Sequence, residues 1–544
     1  MYKAQGAKSK FFFILSAIVF LYSSCRSDDG VSDKKIFRYN QLVPISTLDP
    51  AFARNQAIMW GIQHLYDGLV GLDDSLQVIP ELAKSWTISE DGLQYTFHLH
   101  TNVFFHDDTC FASKSGRKMT ASDVVYSFNR IIDSATASSG SWIFKGRVRA
   151  EKPFEAENDS TFIIHLVKPF RPMLGILTMQ YCSIVPKEAV YFYKKDFRSH
   201  PVGTGAFKFK RWIENQGLFL TKNENYWDTD STGKRLPHLD GVRVYFMPDR
   251  KTAYLEMMRH KIDYMVGLES SIINELLTTD GDLQPKQLDK MQLIKTPYLN
   301  TEYLGINMAF GDAQTNPLLN KKVRQALNYG FDRELMLKTL RNSVGKPASS
   351  GFAPRGLPSF DERVIGYNYN PAKARQLLNE AGYPDGKNLP VIKLQTNKDY
   401  LDLCTFITRQ WEDLGVKVVV DVLETATLRE MMVKGITGFF RGSWIADYPD
   451  AESYYTMFYS GNPAPPNYTR FKNAAFDDLY ESAIRENSDS LRYAFYHNLD
   501  KILIEEAPVI FLFYDESSRF ASLDMQNMSR NSMNLLPLKN VWKK

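Results

Sequence analysis

The stretch from Val391 to Val422 constrains the fold more than any other part of the chain. Val391 to Thr396 reads as a strand, Asp402 to Leu414 as a helix stopped by Gly415, and Val416, Val418, Val420 and Val422 alternate as a second strand. Strand, helix and strand within about thirty residues make a βαβ unit, in which the helix carries the chain back so that both strands run parallel. The fold class is therefore α/β, and ligands are expected at strand carboxyl ends or between lobes. A preceding helix is marked by Asn370 as N-cap and Pro371 at its first position. Ala374, Leu377, Leu378 and Ala381 form its apolar stripe, and Gly382 ends it.

The first half is richer in strands. Leu93, Tyr95, Phe97 and Leu99 alternate with Gln94, Thr96, His98 and His100 after an Asp91-Gly92 turn, the pattern of a half-buried strand. Thr161 to Val167 and Gly241 to Met247 are similar. Thr120 with Asp123 opens a capped helix, and Val124, Val125, Phe128, Ile131 and Ile132 follow at helical spacing. A chain of 544 residues is too long for one core, so two or three lobes are expected. The 66 basic residues nearly balance the 62 acidic ones, with no long run of either sign. No nucleic-acid partner is implied, because phosphate binding needs a concentrated basic face.

The start of the chain addresses a compartment. Lys3, Lys8 and Lys10 precede the apolar run Phe11 to Tyr22, and Ser23-Ser24-Cys25 follows. This predicts a signal peptide over residues 1–24, since the run is short for a bilayer span and ends in small residues. Cys25 after small residues resembles a bacterial lipobox, although Tyr22 stands where Leu is usual. Residues 25–35 then read as a lipidated cysteine and polar tether, giving a membrane contact through a lipid anchor on the periplasmic side or the cell surface. Cys110, Cys182 and Cys404 remain. A Cys110–Cys182 disulfide is open, and buried thiols are the plainer reading.

A catalytic set is sought and not found. The sequence has no GxSxG elbow, no HExxH and no complete phosphate loop; Gly345-Lys346 runs into Pro347. Gly203-Thr204-Gly205 leads into a strand pattern where a dinucleotide site needs a helix. His98, His100 and His106 lack the convergent acidic or thiolate partners of a transition-metal site, and His64 and His165 sit in apolar patterns. No enzyme activity, cofactor or metal is expected.

Read in order, the chain resembles the family 5 bacterial extracellular solute-binding proteins. The resemblance is carried by Ser46-Thr47-Leu48-Asp49-Pro50, Leu65-Tyr66-Asp67-Gly68-Leu69-Val70, Pro80-Glu81-Leu82-Ala83 and Thr120-Ala121-Ser122-Asp123-Val124. Further along come Pro201-Val202-Gly203-Thr204-Gly205, Val323-Arg324-Gln325-Ala326-Leu327-Asn328, Trp444-Ile445-Ala446-Asp447-Tyr448-Pro449 and Glu506-Ala507-Pro508-Val509. It implies a type II periplasmic-binding fold (cluster C) with two main lobes, a hinge and an extra subdomain. Residues 36–68, 201–297 and 515–544 would form lobe I, 69–200 the extra subdomain and 298–514 lobe II. It also implies a monomer that delivers ligand to an ABC permease in the inner membrane. The segment from Asp108 to Met119 is longer than is usual in the family.

The resemblance also implies a site. In peptide-binding members an Asp at the position of Asp447 pairs with the ligand's α-ammonium. The ligand backbone lies extended against segments matching Ser443, Trp444 and Ile445 on one side and Arg54, Asn55 and Gln56 on the other. Trp444 and Tyr448 would line pockets for ligand side chains, while Arg441 is read as solvated or ion-paired. A short peptide is the expected ligand. The alternatives on the same scaffold are a nickel chelate, haem, an oligosaccharide, or a surface receptor or adhesin role.

Overall fold

The computed structural model describes residues 35–267 and 270–544; the expected signal peptide and Cys25 lie outside them. The chain starts with β1 (Ile36–Gln41) and helix α1 (Gln56–Leu65). Asn55 caps α1 by accepting the Ile58 N–H at 3.1 Å. The chain then leaves to build a separate layer from β2 (Ala83–Ile88), β3 (Gln94–Leu99), α2 (Ala121–Ile132), β4 (Phe154–Asn158) and β5 (Thr161–His165). Its four strands pair antiparallel in the order β2-β3-β5-β4. Along β3 the apolar Tyr95, Phe97 and Leu99 are buried, as the alternation requires. Thr120 and Asp123 form the reciprocal capping box that starts α2.

The long segment after Asp107 is pinned to this layer. Phe105 donates to Arg117 O and Met119 to Val103 O, both at 3.0 Å. Phe111 is buried, and Arg117 bridges Asp123 at 2.6 Å and Glu188 at 2.7 Å. Cys110, Cys182 and Cys404 are unpaired thiols, so the Cys110–Cys182 bridge is not formed.

The chain returns through β6 (Phe207–Ile213), β7 (Gly217–Lys222), β8 (Gly241–Phe246) and β9 (Tyr264–Val266), with β1 parallel to β8. Gly203 and Gly205 make the turn into β6 where it crosses α1. A Cβ at Gly203 would lie 2.1 Å from the Leu65 carbonyl oxygen, so no larger residue fits there. Next, β10 (Met291–Ile306) runs 16 residues out of this sheet and into the second lobe.

Lobe II contains α3 (Lys321–Tyr329), α4 (Arg333–Arg341), α5 (Pro371–Glu380), β11 (Ile392–Thr396), α6 (Leu401–Glu412), β12 (Val418–Val422) and β13 (Phe439–Ile445). Helices α7 (Ala474–Arg485) and α8 (Asp489–Glu506) follow, and β14 (Val509–Ser522) runs back to lobe I. β11 and β12 pair in parallel from Ile392↔Val418 to Thr396↔Val422, with α6 as the crossover that the sequence predicts. Arg324 on α3 is buried and donates to the carbonyls of Leu318, Glu506 and Ala507, so this motif arginine staples helices together.

One sheet passes through both lobes in the order β12-β11-β13-β10-β14-β9-β1-β8-β7-β6. The two lobes are thus joined through the paired strands β10 and β14. Their register slips midway: Pro297 faces Glu516, but Thr301 faces Tyr514. This irregularity breaks the ladder where the chain passes between lobes.

Candidate ligand-binding cleft

A cavity of about 870 Å³ lies against the crossing strands. Asn55, Gln56 and Trp60 line it from lobe I, Tyr298 and Ser517 from the crossing, and Arg341 and Asp399 from lobe II. It is an inter-lobe cleft, as the α/β architecture leads one to expect.

The segment holding Asp447 approaches from β13. Ser443, Trp444 and Ile445 pair with Glu302, Thr301 and Asn300, and Ala446 N donates to Leu299 O at 2.9 Å. β13 is parallel to β11, so Asp447 stands just past the carboxyl end of a parallel strand. Its N–H donates to Ser453 Oγ at 3.3 Å. Among the described residues its carboxylate accepts no hydrogen bond and joins no ion pair. Its side chain is exposed to solvent and is not among the residues that line the 870 Å³ cavity. Desolvation by the surrounding protein, with the Glu452 carboxylate nearby, pushes Asp447 up to about 6, a shift that its exposure to solvent screens.

Neighbouring carboxylates are satisfied internally, which sets Asp447 apart. Glu452 accepts from the hydroxyls of Tyr448 and Tyr480, while Asp450 accepts from Tyr496 at 2.6 Å and pairs with Arg492. Burial raises Glu452, and Arg147, reaching across from the extra subdomain, opposes the rise. Arg441 is ion-paired with Glu302 and lies over the Tyr400 ring.

The remaining expected contacts divide. Trp444 is partly buried and donates from Nε1 to Ser453 O at 2.6 Å, while Ser443 is partly exposed and Ile445 exposed. Tyr448 does not line the cleft. It is 3% exposed, its hydroxyl is committed to Glu452, and its ring packs into the core that lobe I shares with the extra subdomain. On the opposite wall Arg54 and Asn55 are exposed and Asn55 is extended, but Gln56 is already the first residue of α1 and so is not part of an extended segment.

Tyr181 is a neighbour of Asp447 and Arg54 that sequence reading does not find. It lies in the turn Gln180–Cys182 of the extra subdomain, and its hydroxyl meets Ser139 Oγ at 3.2 Å. Burial raises it, and beyond that hydrogen bond it feels both Asp447 and Arg54, which places these opposite charges around one phenol. Tyr298 and Trp60 were likewise indistinguishable from core aromatics in the sequence.

The histidines do not converge. His106 is buried against Gly205 O at 2.9 Å, His165 faces Glu155 and His100 lies against Trp227. No cluster of three or more metal-ligating side chains occurs among the described residues.

Comparison with known proteins adds a family. Residues 77–466 match the model described as bacterial extracellular solute-binding proteins, family 5 Middle. The chain is 32% identical over 470 residues to heme-binding protein A of Haemophilus influenzae, covering 82% of this chain and 81% of that protein. It is 26% identical over 467 residues to the dipeptide-binding protein of Escherichia coli, covering 82% and 83%. The solved structure of HbpA2 from Haemophilus parasuis matches with a TM-score of 0.82 at 24% identity, covering 94% of this chain and 100% of that one. The fold is that of the type II periplasmic-binding proteins.

Proposed function

The chain belongs to the bacterial extracellular solute-binding proteins of family 5, and from that membership we propose that it captures short peptides between its lobes and delivers them to an ABC permease. Members of the family are binding components of importers and not enzymes. The observation that carries the peptide reading is Asp447: an exposed carboxylate just past the carboxyl end of β13, raised by its surroundings, with no paired cation among the described residues. A peptide's α-ammonium is the complementary charge. When the lobes close and water leaves, such a pair typically contributes ~2–5 kcal/mol relative to a truncated partner. The main chain of Ser443 to Ile445 on one wall and the extended Arg54-Asn55 on the other offer backbone groups to an extended ligand, so affinity comes without strict side-chain reading.

We assign Cys25 as the site of lipidation after removal of residues 1–24, which tethers a monomer to the membrane through residues 25–35. No helix among the described residues is long and apolar enough to cross a bilayer.

Mass spectrometry of ligands released from freshly purified mature protein tests the proposal. Short peptides with free amino termini are the expected result. The name of one relative brings a porphyrin into the comparison, and recovery of haem with Soret absorbance, in place of peptides, would overturn the peptide reading.

A further inference from the structure

The extra subdomain carries an exposed face that lines no part of the cleft. The helix Lys187–Tyr193 ends with Tyr191 and Phe192, which are 67% and 57% exposed. They are the two most exposed aromatic side chains among the described residues. Tyr191 lies against Tyr126 of α2 with ring centres 6.1 Å apart, and Phe192 meets Tyr193 edge-on at 4.9 Å. Each ring is therefore braced on one side and bare on the other. The segment from Asp108 to Met119, long for the family, is fastened to this helix. Arg117 bridges Glu188 at 2.7 Å, and the Tyr193 hydroxyl donates to Asp108 at 2.9 Å.

Those bonds bring two sets of lysines to the same part of the surface. Lys114 and Lys118 come from the long segment, and Lys187, Lys194 and Lys195 from the helix and the turn after it. All five are exposed, and none forms an ion pair among the described residues. The acids of these segments are committed to holding the loop: Asp107 accepts from the Gly116 N–H, Asp108 from Tyr193 and Glu188 from Arg117. Asp196 is exposed and offsets one of the five charges. Bare rings among unpaired lysines have the chemistry of a bilayer interface. There the rings settle at headgroup level, the lysine stems cover apolar surface and the ammonium groups reach phosphates. A protein partner suits the face less well, because lysine is depleted where proteins bury one another.

We infer that this face, built from the helix Lys187–Tyr193 and the long segment before α2, rests on anionic phospholipid and docks the extra subdomain against the membrane surface. The lipid proposed at Cys25 keeps the bilayer within reach, since the chain from there to residue 35 can span at most about 36 Å. Docking of this kind would hold the tethered chain at a fixed attitude to the membrane. The inference is independent of what fills the cleft.

The test uses residues 26–544, which keep every described element and lack the proposed lipid. They are sedimented with vesicles of phosphatidylcholine alone and with vesicles that also contain about 30% phosphatidylglycerol. Each lysine near such a surface strengthens binding roughly fivefold. The native sequence should bind the anionic vesicles at least about 20-fold more tightly than the neutral ones, and should be released as salt rises from ~0.1 to ~0.5 M. The double variant Lys194→Gln with Lys195→Gln should weaken that binding by roughly 20-fold. Tyr191→Ser with Phe192→Ser should weaken it by about fivefold or more. All four side chains are exposed, so melting temperatures should stay unchanged, and they are measured beside the binding. Equal sedimentation with both kinds of vesicle, or with neither, overturns the inference. So does anionic binding that both double variants leave intact. Retention by native envelope membranes without retention by protein-free vesicles would point to a membrane protein as the partner and likewise overturns it.

Discussion

With the ligand ammonium at Asp447 as proposed, capture should be sensitive to mild acid. Its carboxyl is raised from 3.8 to about 6 by desolvation in the surrounding protein and by Glu452. A ligand ammonium binds the ionised form. If only that form binds, about nine sites in ten are competent at pH 7 and about one in ten at pH 5, a loss of roughly tenfold in affinity. An aspartate at the ordinary value would lose almost nothing over that window. Solvent in the open cleft screens part of the shift, so tenfold is the upper end. The peptide's terminal carboxyl stays ionised there, and its amine, at about 7.7–8.0, is mostly protonated by pH 7 and completes its protonation below it, which slightly opposes the loss. Isothermal titration of the peptide recovered from the protein, from pH 7.5 to 5, reads the effect directly. Asp447→Asn should weaken binding by roughly 30-fold or more at pH 7, corresponding to ~2 kcal/mol at the lower end of such pairs, and should flatten the profile. Flat binding across this range in the native chain, or an unchanged slope in Asp447→Asn, would refute the assignment of the charge to this residue.

Three further outcomes are expected. Gly203→Ala should cost ~1–3 kcal/mol, seen as a lower urea midpoint, because its methyl group would drive α1 and the turn apart. Asp500 accepts from Phe352 N–H and Tyr455, and burial pushes it up to about 7. Since its folded value lies above its unfolded one, the folded chain holds the extra proton between about pH 4 and 7, and this group's contribution to stability falls as pH rises through that window. Asp500→Asn should remove that component from the melting temperature–pH curve, and an unaltered curve would contradict it. Metabolic labelling with palmitate should vanish in Cys25→Ala, and persistent label would disprove the anchor.

The parts of the fold legible in the sequence were those governed by local rules. The Thr120–Asp123 box, the Asn370-Pro371 start and the alternation of Tyr95, Phe97 and Leu99 each report a backbone requirement met within a few residues. The βαβ unit followed from the same logic. Sites built from distant segments were less legible. Tyr448 belongs to the motif that carries Asp447, yet it packs into the neighbouring core because Glu452, one helical turn on, captures its hydroxyl. Gln56 looked like part of an extended segment, but the side chain of Asn55 starts a helix there. Tyr181, beside Asp447, and Arg519, in the cavity wall, come from segments more than 300 residues apart, and in the linear pattern they are an aromatic in an apolar run and a basic residue on a strand.

The placement of β14 also governs how such a chain becomes a protein. The short strand Tyr264–Val266 is flanked on one side by β1 and on the other by Arg519 to Ala521, residues within the final twentieth of the chain. Synthesis proceeds from the amino terminus, so the sheet of the first lobe stays unsealed at β9 until β14 has been made. Folding of both halves is thus completed by one late event, the arrival of the tail. Any truncation that removes the last 30 residues should therefore cost the early lobe its integrity even though most of its sequence is present.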